Sequence, residues 1–149
     1  MNPALVGDDR RTIAFVGLNP STATESKDDP TVRRCAGYAA REGFGRFVML
    51  NAFAYRATDP KDMKAQADPV GPGNDAALAR VARDADLVVL AWGAHATHLG
   101  RHDAVLALLD GLCEPVCLGV TKAGMPRHPL YLRADAPFVR FAAGCNTER

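Results

Sequence analysis

Apolar residues are not spread evenly along this chain but gather into four short runs. These are Thr12 to Gly17, Arg46 to Asn51, Leu87 to Trp92 and Val116 to Val120. Each is rich in Val, Leu, Ile or Phe and nearly unbroken by charge, the pattern of strands buried on both faces of a parallel sheet. Amphipathic stretches separate them. Asp29 followed by Pro30 supplies an N-cap acceptor and then the residue best suited to a first helical position, which starts a helix that runs to about Glu42 and stops at Gly43. A second helix begins near Asn74 and carries Leu78, Val81, Ala82 and Ala85 on one face. A third covers about Arg101 to Leu112, with Val105, Leu108, Leu109 and Leu112 as its apolar stripe. Strand and helix therefore alternate as in an α/β domain. Short right-handed crossovers favour one parallel four-stranded sheet in the order 2-1-3-4. Two irregular stretches remain, Pro20 to Asp28 and Ala52 to Pro72. The second is too long for a minimal connection and is expected to be functional, or to carry a short helix around Pro60 to Ala65.

Composition narrows the possibilities. At 149 residues the chain suits one domain spanning 1–149, with its core between about 12 and 132. No apolar run approaches the roughly 20 residues that cross a bilayer. Met1 to Arg11 lacks the charged, apolar and small-residue order of a signal peptide. The expectation is a cytoplasmic protein with no membrane partner. A net charge of +1 argues against a large duplex footprint, since phosphate neutralisation supplies much of a duplex binder's affinity. It leaves room for a small or single-stranded ligand held by local clusters such as Arg33-Arg34. Cys35, Cys113, Cys117 and Cys145 form no Cys-x-x-Cys pair and read as isolated thiols, so neither a metal nor another cofactor is expected.

Candidate chemistry lies just past the four strands. Residues that follow consecutive parallel strands gather at one sheet edge and converge where strand order reverses. Gly17 permits a tight turn after the first strand, Pro20 fixes the exit, and Asn19 projects from the strand end. Asn19 and Ser21 equally suit capping of the loop. Asn51 closes the second apolar run with an amide that presents a donor and an acceptor together, as the edge of a nucleobase requires, or that satisfies nearby backbone. Trp92 reads as packing, Gly93 allows close approach, and His95 can face the crevice. His128 follows the fourth strand by a short loop and precedes Pro129.

In this order, Gly17-Leu18-Asn19-Pro20, Leu50-Asn51, Ala91-Trp92-Gly93-Ala94-His95 and His128-Pro129 resemble the motifs of the uracil-DNA glycosylase superfamily. The resemblance implies a three-layer α/β/α sandwich around a central parallel four-stranded sheet. It also implies roles: Asn19 orienting the attacking water, Asn51 reading the base edge, and His128 stabilising charge on the departing base. Asn19 stands where the most active branch has aspartate, and Leu130 stands where a serine follows His-Pro. The whole chain more closely resembles the bacterial domain-of-unknown-function family 1643. Its hallmarks are Gly17 to Ala23, Asp29-Pro30-Thr31, Arg33-Arg34-Cys35, Asn51 to Arg56, Asp68-Pro69, Gly71 to Asp75, and His128 to Leu132.

The glycosylase likeness implies cleavage of an N-glycosidic bond. Positive charge grows on the sugar and negative charge on the base, so the site holds water on one side and offers donors on the other. Phe53 or Tyr55 could stack on the base, or pack in the core or a lid, and Arg33, Arg34 and Arg56 could hold phosphates or stand simply as exposed arginines. The expected ligand is a nucleotide or single-stranded nucleic acid. Two further readings stay open: a module that binds a nucleotide or modified base without cleaving it, and a hydrolase of a small nucleotide metabolite. The identity of the base, DNA against RNA, and the oligomeric state are left open by the residues alone.

Overall fold

The first apolar run, Thr12 to Gly17, folds as the carboxyl part of strand β1, Asp8–Gly17, which sits inside the sheet rather than at an edge. It pairs in parallel with β2 (Phe44–Asn51) on one side and β3 (Leu87–Leu90) on the other. The computed structural model describes residues 8–21 and 29–141. Thr22 and Ala23 of the first hallmark, most of the Pro20 to Asp28 loop, Met1 to Gly7 and Cys145 lie outside the described residues.

The chain continues through helix α1 (Pro30–Arg41), the short α2 (Pro60–Lys64), α3 (Asn74–Asp84) and α4 (Arg101–Leu109). Strand β4 (Val116–Cys117) pairs in parallel with β3, and β5 (Val139–Arg140) pairs antiparallel with β4. The full order is β2-β1-β3-β4-β5. A four-stranded, wholly parallel sheet is therefore corrected to a five-stranded, mostly parallel one. The fifth strand is two exposed residues long, too short and too polar to show as an apolar run. Among the described residues no helix is long and apolar enough to cross a membrane.

Both sheet faces are covered, which explains why the strands are so apolar. Ile13, Phe15 and Val89 pack against Cys35, Tyr38 and Ala39 of α1. Ala14, Val16, Val88 and Leu90 pack against Leu78 and Ala82 of α3 and Val105 and Leu109 of α4. Each fully buried large side chain contributes roughly 1.5–3 kcal/mol.

The first two strands start before their apolar runs, at Asp8 and Phe44, and three carboxyl-terminal boundaries differ as well, each near a glycine with positive φ. The third strand ends at Leu90 rather than Trp92, because Gly93 at φ 73 turns the chain away, although the Ala91 amide still donates to Val16. The fourth ends at Cys117 rather than Val120. Gly119, at φ 104, bends it into a tight return in which the Thr121 amide donates to the Met125 carbonyl and Val120 bridges Pro126. Helix α4 stops at Leu109, not Leu112, since Asp110 is extended and Gly111 has φ 82.

Candidate functional site

Strand order reverses between β1 and β3, and beyond their carboxyl ends lies a cavity of about 860 Å³. All four parallel strands feed it. Leu18, Asn19 and Ser21 come from the end of β1; Ala57, Thr58 and Pro60 from the segment after β2. Trp92, Gly93, Ala94 and His95 follow β3, and Thr121, Arg127, His128, Leu130 and Leu132 follow β4. The start of α1 closes the ring with Asp29, Pro30 and Thr31.

Asn19 is placed by a short zipper between the segments after β1 and β2, in which Phe53 donates to the Leu18 carbonyl and Ala57 to that of Pro20, at 2.8 and 2.9 Å. Its Nδ2 donates to the Tyr55 and Ala57 carbonyls at 3.0 and 2.9 Å, with the Pro20 carbonyl at 3.2 Å. An amide nitrogen has two hydrogens, so these contacts consume its donors and fix which end of the amide is which. The acceptor Oδ1 has no hydrogen bond within the described residues. Asn19 is thus a clamp on the β2 loop that keeps an acceptor at the cavity.

His128 arrives by way of the tight return after β4. The Arg127 amide donates to Gly119 and the Gly93 amide to Pro126, each at 2.9 Å, tying the returning chain to the end of β3. A Cβ on Gly93 would come within 3.3 Å of the His128 Cβ, so only glycine lets the two segments meet this closely. The Leu130 amide donates to His128 Nδ1 at 3.2 Å. Burial lowers the His128 pKa below 6.5, outweighing the opposite pull of Asp29. At neutral pH the ring is uncharged, and with Nδ1 accepting, its proton sits on Nε2.

Asp29 completes the polar lining. Its Oδ1 accepts from the Thr31 and Val32 amides at 2.9 and 3.3 Å, the capping role its position suggested, and its Oδ2 accepts from Ser21 Oγ at 2.9 Å. On the other wall, His95 Nδ1 lies 3.0 Å from the Lys64 ammonium, a donor-only group, so Nδ1 accepts there. Trp92 is 1% exposed and packed in the core, and its Nε1–H has no partner among the described residues.

The cavity therefore gathers Asn19, Ser21, Gly93, His95 and His128, but not the other residues singled out from sequence. Gly17 lies beneath it at the end of β1, where a Cβ would stand 3.1 Å from Asn51 Oδ1. Asn51 is half-buried over that glycine and does not line the cavity. Phe53 is wholly buried in the core with its ring against His98, so it has no face to offer a ligand. Tyr55 is exposed and outside the lining, while Arg56 Nη1 donates to the Ser21 carbonyl at 2.6 Å from the rim. Arg33 and Arg34 border a separate groove on α1.

Asp29, Thr31, Thr58 and Arg127 line the cavity although the sequence pattern does not mark them as site residues. The Asp29-Pro30 pair announced a helix start, and a cap and a cavity wall use the same carboxylate. Also hidden were Asn74 and Arg101, which hold the β2 loop from below. Asn74 Nδ2 donates to the Asn51 and Ala52 carbonyls at 3.1 and 3.2 Å. Arg101, only 4% exposed, donates from Nε to Ala52 O at 2.6 Å and pairs through Nη2 with Asp75 at 2.7 Å. The Gly71 to Asp75 hallmark was the available signal for Asn74 and for the Asp75 partner of Arg101. Among the described residues no three His, Cys, Asp or Glu side chains form a metal-binding group.

The profile of the family described as "Protein of unknown function (DUF1643)" matches residues 5–130, so the chain belongs to that family. No curated protein and no solved structure matches it.

Proposed function

We propose that this member of the DUF1643 family takes a nucleobase-containing ligand into the cavity and hydrolyses its N-glycosidic bond, on a domain of uracil-DNA-glycosylase-like type. The observation that carries this reading is that Asn19 and His128 line one cavity in complementary states. Asn19 brings an acceptor, Oδ1, whose orientation is fixed by the backbone carbonyls on Nδ2. His128 brings a neutral ring whose proton is on Nε2, because Nδ1 accepts from Leu130 and burial disfavours the cation.

Those states set the chemistry. Water held by Asn19 Oδ1 attacks the anomeric carbon as the bond to the base nitrogen breaks, and that bond's electron pair leaves with the base. His128 Nε2–H donates to the oxygen of the base where negative charge grows, and the proton lost by water ends on the departing base. A donor that stays neutral is suited to an anion, since it stabilises charge without first needing protonation. His95 contributes a second ring to the same cavity. Asn51 and Phe53, being outside the lining, take no direct part in this scheme.

One observation favours a second reading, a module that binds a nucleotide or modified base without cleaving it. The Asn19 amide is explained in full by its clamp on Tyr55 and Ala57, with no chemistry required. The two readings separate in an assay of base release from nucleosides, nucleotides and single-stranded oligonucleotides, with binding measured in parallel. Under the hydrolytic reading His128→Ala lowers turnover about 10²–10³-fold while binding changes little. Binding by the wild type with no base released selects the module, and absence of both binding and release removes the nucleobase pocket altogether.

A further inference from the structure

A second depression, of about 600 Å³, runs along the exposed side of α1 and shares two wall residues with the cavity, Pro30 and Leu130. Its remaining lining includes Arg33, Arg34, Gly37 and Arg41, and no acidic side chain. The three guanidinium groups are not equivalent. Arg41 is fixed, paired with Glu42, bonded to the carbonyls of Ala134 and Ala136, and lying over the rings of Tyr38 and Phe138 at 5.1 Å from each centroid. Arg34 has no acidic partner among the described residues. A half-buried guanidinium with no acidic partner among the described residues, beside another held rigid, is an arrangement suited to an anion with several oxygens.

Gly37 keeps that arrangement accessible. It lies mid-helix, where glycine costs roughly 0.5–1 kcal/mol relative to alanine. Its φ is not positive and a Cβ there would meet nothing within 4 Å, so neither the backbone nor the packing requires it. It lines the groove between Arg34 and Arg41, where a side chain longer than that of alanine would fill the space.

We propose that this groove binds a phosphate of the same ligand whose base enters the cavity, so that the substrate is a phosphate-bearing nucleotide unit rather than a bare nucleoside. This rests on the nucleobase reading of the cavity and adds its second anchor. The ridge of Pro30 and Leu130 divides base from phosphate. The phosphate comes either from a free nucleotide or from the backbone of a single strand, and the same groove chemistry serves both.

Two reporters keep the two halves apart. Trp92 is the chain's single tryptophan and lines the cavity, so its fluorescence reports occupancy there. The Arg34 Nε–H signal, assigned by its loss in Arg34→Gln, reports the groove by NMR. Probes are pyrophosphate alone, the common nucleosides, their monophosphates, and single-stranded tetranucleotides. The expected result is that pyrophosphate shifts the Arg34 signal, and that monophosphates or tetranucleotides bind about tenfold or more tightly than nucleosides, the loss expected for one charge-assisted contact. Arg34→Gln and Gly37→Glu should abolish that gap, whereas Gly37→Ala, which fills little of the groove, should keep it. A tetranucleotide preference over the monophosphate assigns a strand, and equal binding assigns a free nucleotide. If nucleosides change Trp92 fluorescence but phosphate adds no affinity, the groove proposal fails while the cavity reading stands. If no base-bearing probe affects Trp92, the cavity reading fails, and the linked ligand with it.

Discussion

Asn19 is the residue whose chemistry depends most on its surroundings. In isolation it looks like a candidate for replacement by the aspartate of the most active glycosylase branch. The carbonyls of Tyr55 and Ala57 make that exchange costly, because a carboxylate would set acceptor against acceptor at 3.0 and 2.9 Å. Asn19→Asp should destabilise the fold by about 1–3 kcal/mol and should not raise activity, as read from urea unfolding and the base-release assay. His128 sets the pH behaviour. Its folded pKa is depressed by burial below 6.5, so the unfolded chain binds the proton more readily over the interval between the two values. Stability from this group is present in full above pH 6.5 and declines as pH falls through that interval to the folded pKa. Protonation also places a hydrogen on Nδ1 opposite the Leu130 amide, removing the bond that orients the ring. Unfolding free energy measured between pH 7 and 5 should fall, and any activity should show an acid limb with its midpoint below 6.5. His128→Asn should lose that component of the pH dependence.

At the level of elements, what shapes the site is the way strands end. Gly93 has φ 73 and ψ −159, a conformation nearly confined to glycine, and it stands where the end of β3 meets the return from β4. Gly93→Ala should cost roughly 1–3 kcal/mol in stability. It should also press on His128, loosening its burial, so that the histidine's pKa, followed by NMR titration, moves up toward 6.5. Unchanged stability and an unchanged titration would show that the junction has slack. The β2 loop is supported differently, by Asn74 and Arg101 reaching up from α3 and α4 to its carbonyls.

Across the whole molecule the sheet is sealed on both faces, and the thiols register how well. Cys35 lies fully buried between α1 and the sheet, and burial, aided by the Asp29 charge, pushes its pKa up to about 12. Cys113 and Cys117 are also raised by burial. The Cys35 thiol should stay protonated and unlabelled by iodoacetamide at pH 8 in the folded protein. Its modification should track denaturant as global unfolding does, which peptide mass spectrometry resolves residue by residue. Labelling of Cys35 at the rate of a free thiol would mean that α1 opens locally from the sheet.

By itself the sequence determined the interior. Uninterrupted apolar runs such as Val48-Met49-Leu50 and Leu87 to Leu90 mark strands shielded on both faces, and Asp29-Pro30 marks the start of α1, because burial and capping are decided by neighbours a few residues away. The gathering of chemistry at the strand ends was legible in Asn19, Gly93, His95 and His128. Tertiary structure decided the rest. Whether an amide faces a ligand or a carbonyl depends on chain segments brought from elsewhere: Tyr55 and Ala57 for Asn19, Gly17 for Asn51. Phe53 reads the same whether it faces a base or the core, and only the packing against His98 places it inside. Strand β5 and the supports Asn74 and Arg101 leave no periodic trace, since pairing across the sheet and long-range hydrogen bonds depend on contacts between residues far apart in the chain.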